Sequence, residues 1–122
     1  MSQVLIAIVD DDEAVREATK SLMRSVGYNA STFGSADEFL ESEQVHDTSC
    51  LVTDLQMPGL SGIELQDHLV ARGHCIPTIV MTGYPDDSVR ARAMKAGAVG
   101  FLSKPFSDDH LIACIERALK AN

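Results

Sequence analysis

Five short, mostly apolar runs alternate with amphipathic segments along the whole chain, and this pattern constrains its fold most strongly. The runs are Val4–Val9, Asn29–Phe33, Cys50–Thr53, Thr78–Met81 and Val99–Leu102. Continuous apolar runs are typical of strands that are buried on both faces of a parallel sheet. The pattern therefore predicts five parallel β-strands, each followed by a helix.

The segments between the runs carry helix signals. Apolar residues recur at the spacing of one helical face in two sets: Val15, Ala18, Leu22, Met23 and Val26, and Leu111, Ile112, Ile115, Ala118 and Leu119. Ser35 and Ser61 each precede a glutamate by three residues, which is the capping-box spacing, and Asp87 and Ser107 are expected as N-caps. Glycines that suit helix ends are Gly27, Gly73 and Gly97. Right-handed crossovers then place helices on both faces of a doubly wound α/β sheet.

Length and composition favour a single intracellular domain. A chain of 122 residues suits one domain that folds without disulfides. The formal net charge of −8 argues against a nucleic-acid-binding surface, because phosphate binding uses clustered Lys and Arg. Cys50 and Cys114 lie in apolar segments and no C-x-x-C pair occurs, which predicts reduced thiols and a cytoplasmic location. No apolar run approaches the roughly 20 residues needed to span a bilayer, so no membrane association is expected.

Polar side chains follow four of the predicted strands, where folding alone does not require them. They are Asp10 and Asp11, Asp54, Thr82 and Lys104. In doubly wound sheets, ligands bind beyond the carboxyl ends of the strands. Clustered carboxylates repel one another unless a cation joins them, and Mg²⁺ typically takes one or two carboxylates plus water and phosphate oxygens. The sequence therefore predicts a site for a divalent metal and a phosphoryl group.

The metal would draw on carboxylates from two strands. Asp11 and Asp54 are the predicted carboxylate ligands, and the backbone carbonyl of Gln56 is a candidate for a further oxygen. Asp10 could act directly or through water. Asp12 and the glutamate after it have a simpler interpretation, since acids stabilise the first turn of a helix.

Asp54 could be a ligand only, or also the nucleophile that forms an aspartyl phosphate. In phosphoryl transfer the protein mainly positions groups and neutralises charge on the phosphoryl oxygens. The Lys104 ammonium and the Thr82 hydroxyl are suited to that task. Without such a role, Lys104 would be a solvated surface lysine and Thr82 an ordinary strand-end threonine.

Four segments match a known family in both residues and order. They are Val9–Glu13 (VDDDE), Thr53–Gly62 (TDLQMPGLSG), Met81–Gly83 (MTG) and Met94–Phe106 (MKAGAVGFLSKPF). Through them the chain resembles, over essentially its whole length, the receiver domain of two-component response regulators. The last segment is most similar to the nitrogen-fixation regulator (FixJ-like) branch.

The resemblance implies a fold and a reaction. The fold is flavodoxin-like, with five helices and the strand order 2-1-3-4-5. A sensor histidine kinase would donate a phosphoryl group from its phosphohistidine to Asp54. Mg²⁺, or Mn²⁺ in its place, would be held by Asp10, Asp11, Asp54 and the Gln56 carbonyl. Lys104 would pair with the acceptor carboxylate or the phosphoryl group, and the Lys104–Pro105 bond would be cis.

The resemblance also implies a switch. Thr82 would move toward the phosphoryl oxygen and Phe101 would take up the space vacated. The surface of the fourth helix, fifth strand and fifth helix would then change its partner, with phosphorylation-dependent homodimerisation as one outcome. Tyr84 and Gln56 should lie at the rim, where they could control access of the hydrolytic water or be plain loop residues.

Members of this branch usually carry a helix-turn-helix DNA-binding domain after the receiver. Residues 1–122 are therefore expected to form a receiver domain alone, with no output domain in this chain and no nucleic acid bound by the domain itself. The domain would regulate transcription through an output domain that is absent here. It would not be an enzyme beyond catalysing its own phosphoryl transfer and autodephosphorylation.

Three other functions fit parts of the pattern. An aspartate-nucleophile phosphatase needs a second acid two residues after the nucleophile, where this chain has Gln56. A flavin- or dinucleotide-binding module needs a Gly- or Ser/Thr-rich loop after the first strand, where this chain has four consecutive acids. A phosphorylation-independent interaction domain typically lacks an acid or the lysine, and this chain has both.

Overall fold

The computed structural model describes residues 4–120 and contains a five-stranded parallel sheet flanked by helices. The strands are β1 (Leu5–Val9), β2 (Asn29–Phe33), β3 (Cys50–Asp54), β4 (Thr78–Thr82) and β5 (Gly100–Ser103). The helices are α1 (Glu13–Ser25), α2 (Ala36–Glu41), α3 (Gly62–Ala71), α4 (Asp87–Lys95) and α5 (Asp108–Lys120), with a 3-10 turn at Glu43–Asp47. Each predicted strand agrees with the structure to within one residue at either end.

The strands lie in the order β2-β1-β3-β4-β5 and all neighbours are parallel. The predicted doubly wound, flavodoxin-like topology is confirmed. The pairing places Val9 beside Thr53 and Thr82 beside Ser103. The carboxyl ends of four neighbouring strands, β1, β3, β4 and β5, therefore lie at one edge of the sheet.

Both faces of the sheet are buried, which explains why the strands read as continuous apolar runs. On β1, Ile6 and Ile8 belong to a core that α1 and α5 complete, whereas Ala7 and Val9 pack with α2 and α3. A smaller cluster joins Val80 of β4 to α4. Burial of apolar side chains on two faces is the main source of stability for such a sheet.

The predicted helix starts are largely confirmed. At α3, the Ser61 hydroxyl accepts from the Glu64 N–H at 3.2 Å and the Glu64 carboxylate accepts from the Ser61 N–H at 3.0 Å, which completes a capping box. At α2, Ser35 accepts from the Glu38 N–H at 3.1 Å. The Glu38 carboxylate instead accepts from the Gly34 N–H at 2.9 Å, so this capping box closes one residue earlier than predicted.

The predicted N-cap of α4 is wrong by one residue. Asp86, not Asp87, has the extended backbone of a cap (φ −147°, ψ 163°) and accepts from the Val89 N–H at 2.9 Å. The Ser107 hydroxyl accepts from the His110 N–H at 3.1 Å, as expected of a cap. Positive φ angles confirm the predicted helix-ending glycines: Gly27 (94°), Gly73 (82°) and Gly97 (106°).

Cys50 and Cys114 are buried, as predicted, whereas Cys75 is exposed. Burial raises the pKa of the Cys50 thiol to about 12. Among residues 4–120, no helix combines the length and the apolar character needed to cross a membrane.

Gly62, the first residue of α3, lies directly against the end of β3. Its N–H donates to the Leu55 carbonyl at 2.9 Å. A Cβ atom on Gly62 would stand 2.7 Å from the Asp54 carbonyl oxygen and 3.2 Å from Leu55 Cα. Both are backbone atoms, which cannot rotate away as a side chain can. The helix therefore reaches this position only because residue 62 has no side chain.

We expect Gly62→Ala to lower the free energy of unfolding by about 1–3 kcal/mol, the usual cost of overpacking a tight contact. Urea denaturation would measure it. Gly83→Ala is the matched control, because an added Cβ there meets no atom within 4 Å. Equal stability of the two variants would contradict the close approach of α3 to β3.

Candidate functional site

The polar residues singled out from the sequence converge at the carboxyl edge of the sheet. Asp10 follows β1, Asp54 ends β3, Thr82 ends β4 and Lys104 follows β5. The Lys104 N–H donates to the Thr82 carbonyl at 2.7 Å, which continues the strand pairing past the end of β5. The sheet itself therefore positions these four residues.

Three carboxylates form a cluster at this edge. One oxygen from each of Asp10, Asp11 and Asp54 lies within 4.8 Å of the other two. Asp10 is completely buried and Asp54 is 8% exposed, whereas Asp11 faces solvent. The structure thus brings together the three acids predicted as metal ligands, with a solvent-accessible side at Asp11.

Lys104 bridges the two buried acids. Its Nζ lies 2.9 Å from Asp10 Oδ2 and 3.4 Å from Asp54 Oδ1. Burial lowers the pKa of the Lys104 ammonium, but its hydrogen bond to Asp10 and the charges of both acids outweigh burial, so the pKa is raised. Lys104 is therefore positively charged at neutral pH. The Lys104–Pro105 peptide bond is cis, as predicted.

The electrostatics of Asp54 are unfavourable to its charged form. Burial is the largest effect and raises the pKa of its carboxyl group; the Lys104 ammonium lowers it, and the charges of Asp10 and Asp11 raise it further. The net shift is upward. A single ammonium among three carboxylates leaves surplus negative charge at the site.

The donor set fits a hard divalent cation. Both Asp10 oxygens already accept hydrogen bonds, Oδ1 from the Asp12 N–H at 2.9 Å and Oδ2 from Lys104. Asp11 and Asp54 are better placed to offer carboxylate oxygens directly, which are the ligands that Mg²⁺ prefers. Gln56 is exposed in the turn after β3, and the role of its carbonyl stays a prediction.

Arg16 supports Asp10 and is not among the residues predicted from the sequence. Its Nη1 donates to the Asp10 carbonyl at 2.8 Å. Asp12, predicted to serve the helix start, caps α1 by accepting from the Ala14 N–H at 2.9 Å. The first turn and a half of α1 thus holds the end of β1 in place. The available signal was a basic residue six positions after the first acid, on the helix that leaves the site.

Thr82 and Phe101 lie on the same face of the sheet. The register pairs Val80 with Phe101 and Thr82 with Ser103, so Thr82 and Phe101 are diagonal neighbours. The Thr82 hydroxyl is buried and accepts from the Tyr84 N–H at 3.1 Å. Tyr84 itself is 75% exposed, which places its side chain at the rim.

Phe101 connects the site to an open groove. The ring is partly buried in the cluster of Leu55, Val80, Ala93 and Ala98. It also lines a groove of about 720 Å³ that α4, β5 and α5 share. Phe101 is therefore both the diagonal neighbour of Thr82 and part of the surface that these three elements form.

Comparisons with known proteins agree with this geometry. Residues 6–116 match the family described as the response regulator receiver domain. Nodulation protein W of Bradyrhizobium diazoefficiens is 44% identical over 96% of this chain and 52% of its own length. The transcriptional regulatory protein FixJ of Azorhizobium caulinodans is 44% identical over 93% of this chain and 54% of its own length.

The crystal structure of FixJ-N has a TM-score of 0.89 and 40% identity, and the match covers 100% of this chain and 98% of that one. The chain spans about half the length of the curated relatives it matches. The matched residues contain all four strand ends of the acidic site. The chain belongs to the family of response regulator receiver domains.

Proposed function

We propose that this domain receives a phosphoryl group on Asp54 from a sensor histidine kinase, as part of a two-component phosphorelay. The observation that carries the proposal is the buried Asp54 carboxylate, held 3.4 Å from the Lys104 ammonium and beside Asp10 and Asp11. Family membership supports it. Gln56, two residues beyond Asp54, cannot donate a carboxylic proton, which disfavours the phosphatase alternative.

Mg²⁺ would be held by the carboxylates of Asp11 and Asp54 and by the Gln56 carbonyl. Asp10 would act through water, because Lys104 and the Asp12 N–H already engage its oxygens. When bound, the cation would neutralise the acids and the charge on the phosphoryl oxygens. Mn²⁺ accepts the same oxygen ligands and could replace it.

Asp54 is the nucleophile of the proposed transfer. One carboxylate oxygen forms the new O–P bond as the N–P bond of the phosphohistidine breaks, and the N–P electron pair stays on the imidazole nitrogen. Lys104 holds the carboxylate and places positive charge beside the transferred group. Positioning and charge neutralisation are the main tasks of a protein in this chemistry. The domain would catalyse only this transfer and its own dephosphorylation.

A groove beside the site suits a macromolecular donor. It has a volume of about 490 Å³ and is largely apolar. Its walls come from α1 (Val15, Ala18 and Leu22) and from the segment around Phe106 that follows Lys104. A kinase domain docked here would lie next to Asp54, which supports a protein as the phosphoryl donor.

The proposed switch uses Thr82 and Phe101. Among the described residues, the Thr82 hydroxyl accepts one hydrogen bond but makes none as a donor, so its proton is available to a phosphoryl oxygen. Movement of Thr82 would open space for the diagonal Phe101 ring. Phosphorylation would thereby bias a two-state equilibrium of the α4–β5–α5 surface. That surface would then bind a second copy of the domain or an output domain.

The proposed biological role is transcription regulation in the cytoplasm through a DNA-binding output domain outside residues 1–122. The matched relatives support this, since they are about twice as long and include transcriptional regulatory proteins by name. The net charge of −8 disfavours direct binding of nucleic acid by the receiver domain itself.

Incubation with phosphoramidate and Mg²⁺ should add one phosphoryl group, measured by intact mass, and Asp54→Asn should abolish the addition. The reason is that the amide oxygen is a poor nucleophile and a weak metal ligand. Asp47→Asn is the control, because it makes the same change at an exposed acid near the amino edge of the sheet. Chelation of Mg²⁺ should suppress labelling. Undiminished labelling of Asp54→Asn would refute the acceptor assignment.

Thr82→Ala should still accept phosphate, because the nucleophile and the acidic cluster remain. Beryllofluoride, a phosphoryl mimic, should change hydrogen exchange at β5 and α4 in the wild type and much less in Thr82→Ala. Thr48→Ala removes a hydroxyl in an exposed turn and is the control. If wild type and Thr82→Ala responded alike in these segments, Thr82 would not be the relay.

A further inference from the structure

Asp11 differs from the other two acids of the cluster in how it is held. Lys104 contacts the carboxylates of Asp10 and Asp54 and fixes both. The Asp11 carboxylate is exposed, and among residues 4–120 no hydrogen bond or ion pair restrains it. The direction in which Asp11 presents its carboxylate therefore depends on its backbone, that is, on the two peptide planes that flank its Cα atom.

Side chains restrain both of these peptide planes. The first plane contains the Asp10 carbonyl and the Asp11 N–H, and Arg16 Nη1 donates to that carbonyl at 2.8 Å. The second plane contains the Asp11 carbonyl and the Asp12 N–H, and this N–H donates to Asp10 Oδ1 at 2.9 Å. Because peptide groups are planar, a bond to one atom of each group restrains the two backbone rotations of Asp11. Arg16 therefore supplies one of the two restraints.

Arg16 reaches the Asp10 carbonyl because of its place on α1. It is the fourth residue of the helix, and its N–H donates to the Asp12 carbonyl at 3.0 Å. Helical side chains lean toward the amino end of their helix, so a long side chain at this position extends back over β1. Its guanidinium also lies near the β2–α2 turn, where a Cβ atom on Gly34 would stand 3.6 Å from Nη1.

Two roles for Arg16 make opposite predictions about a bound cation. Its guanidinium forms no ion pair within the described part of the chain. As a positive charge close to the site, it would oppose the binding of a second cation. As a restraint on the peptide plane before Asp11, it would favour that binding, because a ligand held in place loses less freedom when the cation binds.

We propose that Arg16 is a positioning residue for the metal site, and that it orients Asp11 through the Asp10 carbonyl. The inference rests on the proposed function, since it requires a divalent cation at the acidic cluster. The effect of Arg16 on the backbone outweighs the repulsion from its charge, so loss of the guanidinium weakens cation binding.

Electron paramagnetic resonance of free Mn²⁺, titrated into each folded protein, would measure the affinity directly. We expect Arg16→Met to bind Mn²⁺ about tenfold more weakly than wild type, as is usual when a residue that orients a metal ligand is lost. Arg24→Met is the matched control, because it removes the same charge from an exposed position in the last turn of the same helix. Its affinity should equal that of wild type.

Arg16→Gln is a second variant, whose side chain is too short to reach the carbonyl, and it should show the same loss. Methionine and glutamine form helices about as well as arginine, and circular dichroism would verify the fold. Binding by both variants as tight as that of wild type, or tighter, would overturn the positioning role.

Asp11→Ala distinguishes that failure from a failure of the proposed function. If Asp11→Ala loses Mn²⁺ affinity while the two Arg16 variants keep it, the role of Arg16 is refuted and the acidic metal site stands. If Asp11→Ala keeps the wild-type affinity, or if wild type itself binds no Mn²⁺, the proposed metal site and the role of Arg16 are refuted together.

Discussion

The contact between Lys104 and Asp10 is the interaction on which the rest of the site depends. It joins two residues 94 positions apart and connects the ends of β1 and β5 across β3 and β4. Asp10 is completely buried, and a buried carboxylate without a partner would be strongly destabilising. Lys104 supplies that partner and reaches Asp54 with the same ammonium group.

One ammonium group cannot balance three acids, so the folded site keeps a surplus of negative charge. The fold tolerates this surplus charge because apolar side chains buried on both faces of the sheet stabilise it. Arg16 and the Asp12 N–H further restrain Asp10. The fold therefore holds the acids together at an energetic cost, and a cation that binds there is stabilising by mass action.

The loops that leave this edge connect the site to helices α3 and α4. β3 leads through Asp54 to Gly62 and α3, and β4 leads through Thr82 to α4. Because Gly62 lies against the backbone of Asp54, a shift of Asp54 would displace the start of α3. Thr82 is the diagonal neighbour of Phe101, and Phe101 packs in the same cluster as Ala93 of α4.

The alternation of strands and helices, and the convergence of the polar residues at one edge of the sheet, were predictable from hydrophobic period and from position relative to strand ends, whereas the strand order followed from the resemblance to receiver domains. The remaining details depend on packing that a sequence does not encode locally. Two consecutive aspartates satisfy the same capping rule, so Asp86 could not be distinguished from Asp87. The contact of Arg16 with Asp10 depends on where α1 packs against the sheet. In the sequence Gly62 is an ordinary glycine at a helix start. Only the structure shows that the backbone at the end of β3 lies beside it.

The repulsion among the three acids is tested most directly by the free energy of unfolding of wild type and Asp54→Asn. Both would be measured across pH, without metal and with Mg²⁺. A carboxyl whose pKa is raised on folding does not lower the free energy of unfolding below its unfolded pKa, about 3.9. It lowers that free energy most above its folded pKa. Without metal, wild type should therefore lose stability relative to Asp54→Asn as pH rises through this window, so that the variant is the more stable at neutral pH. Mg²⁺ should stabilise wild type more than the variant. A variant that is less stable at neutral pH without metal, or that gains as much from Mg²⁺, would contradict a strained metal site built around Asp54.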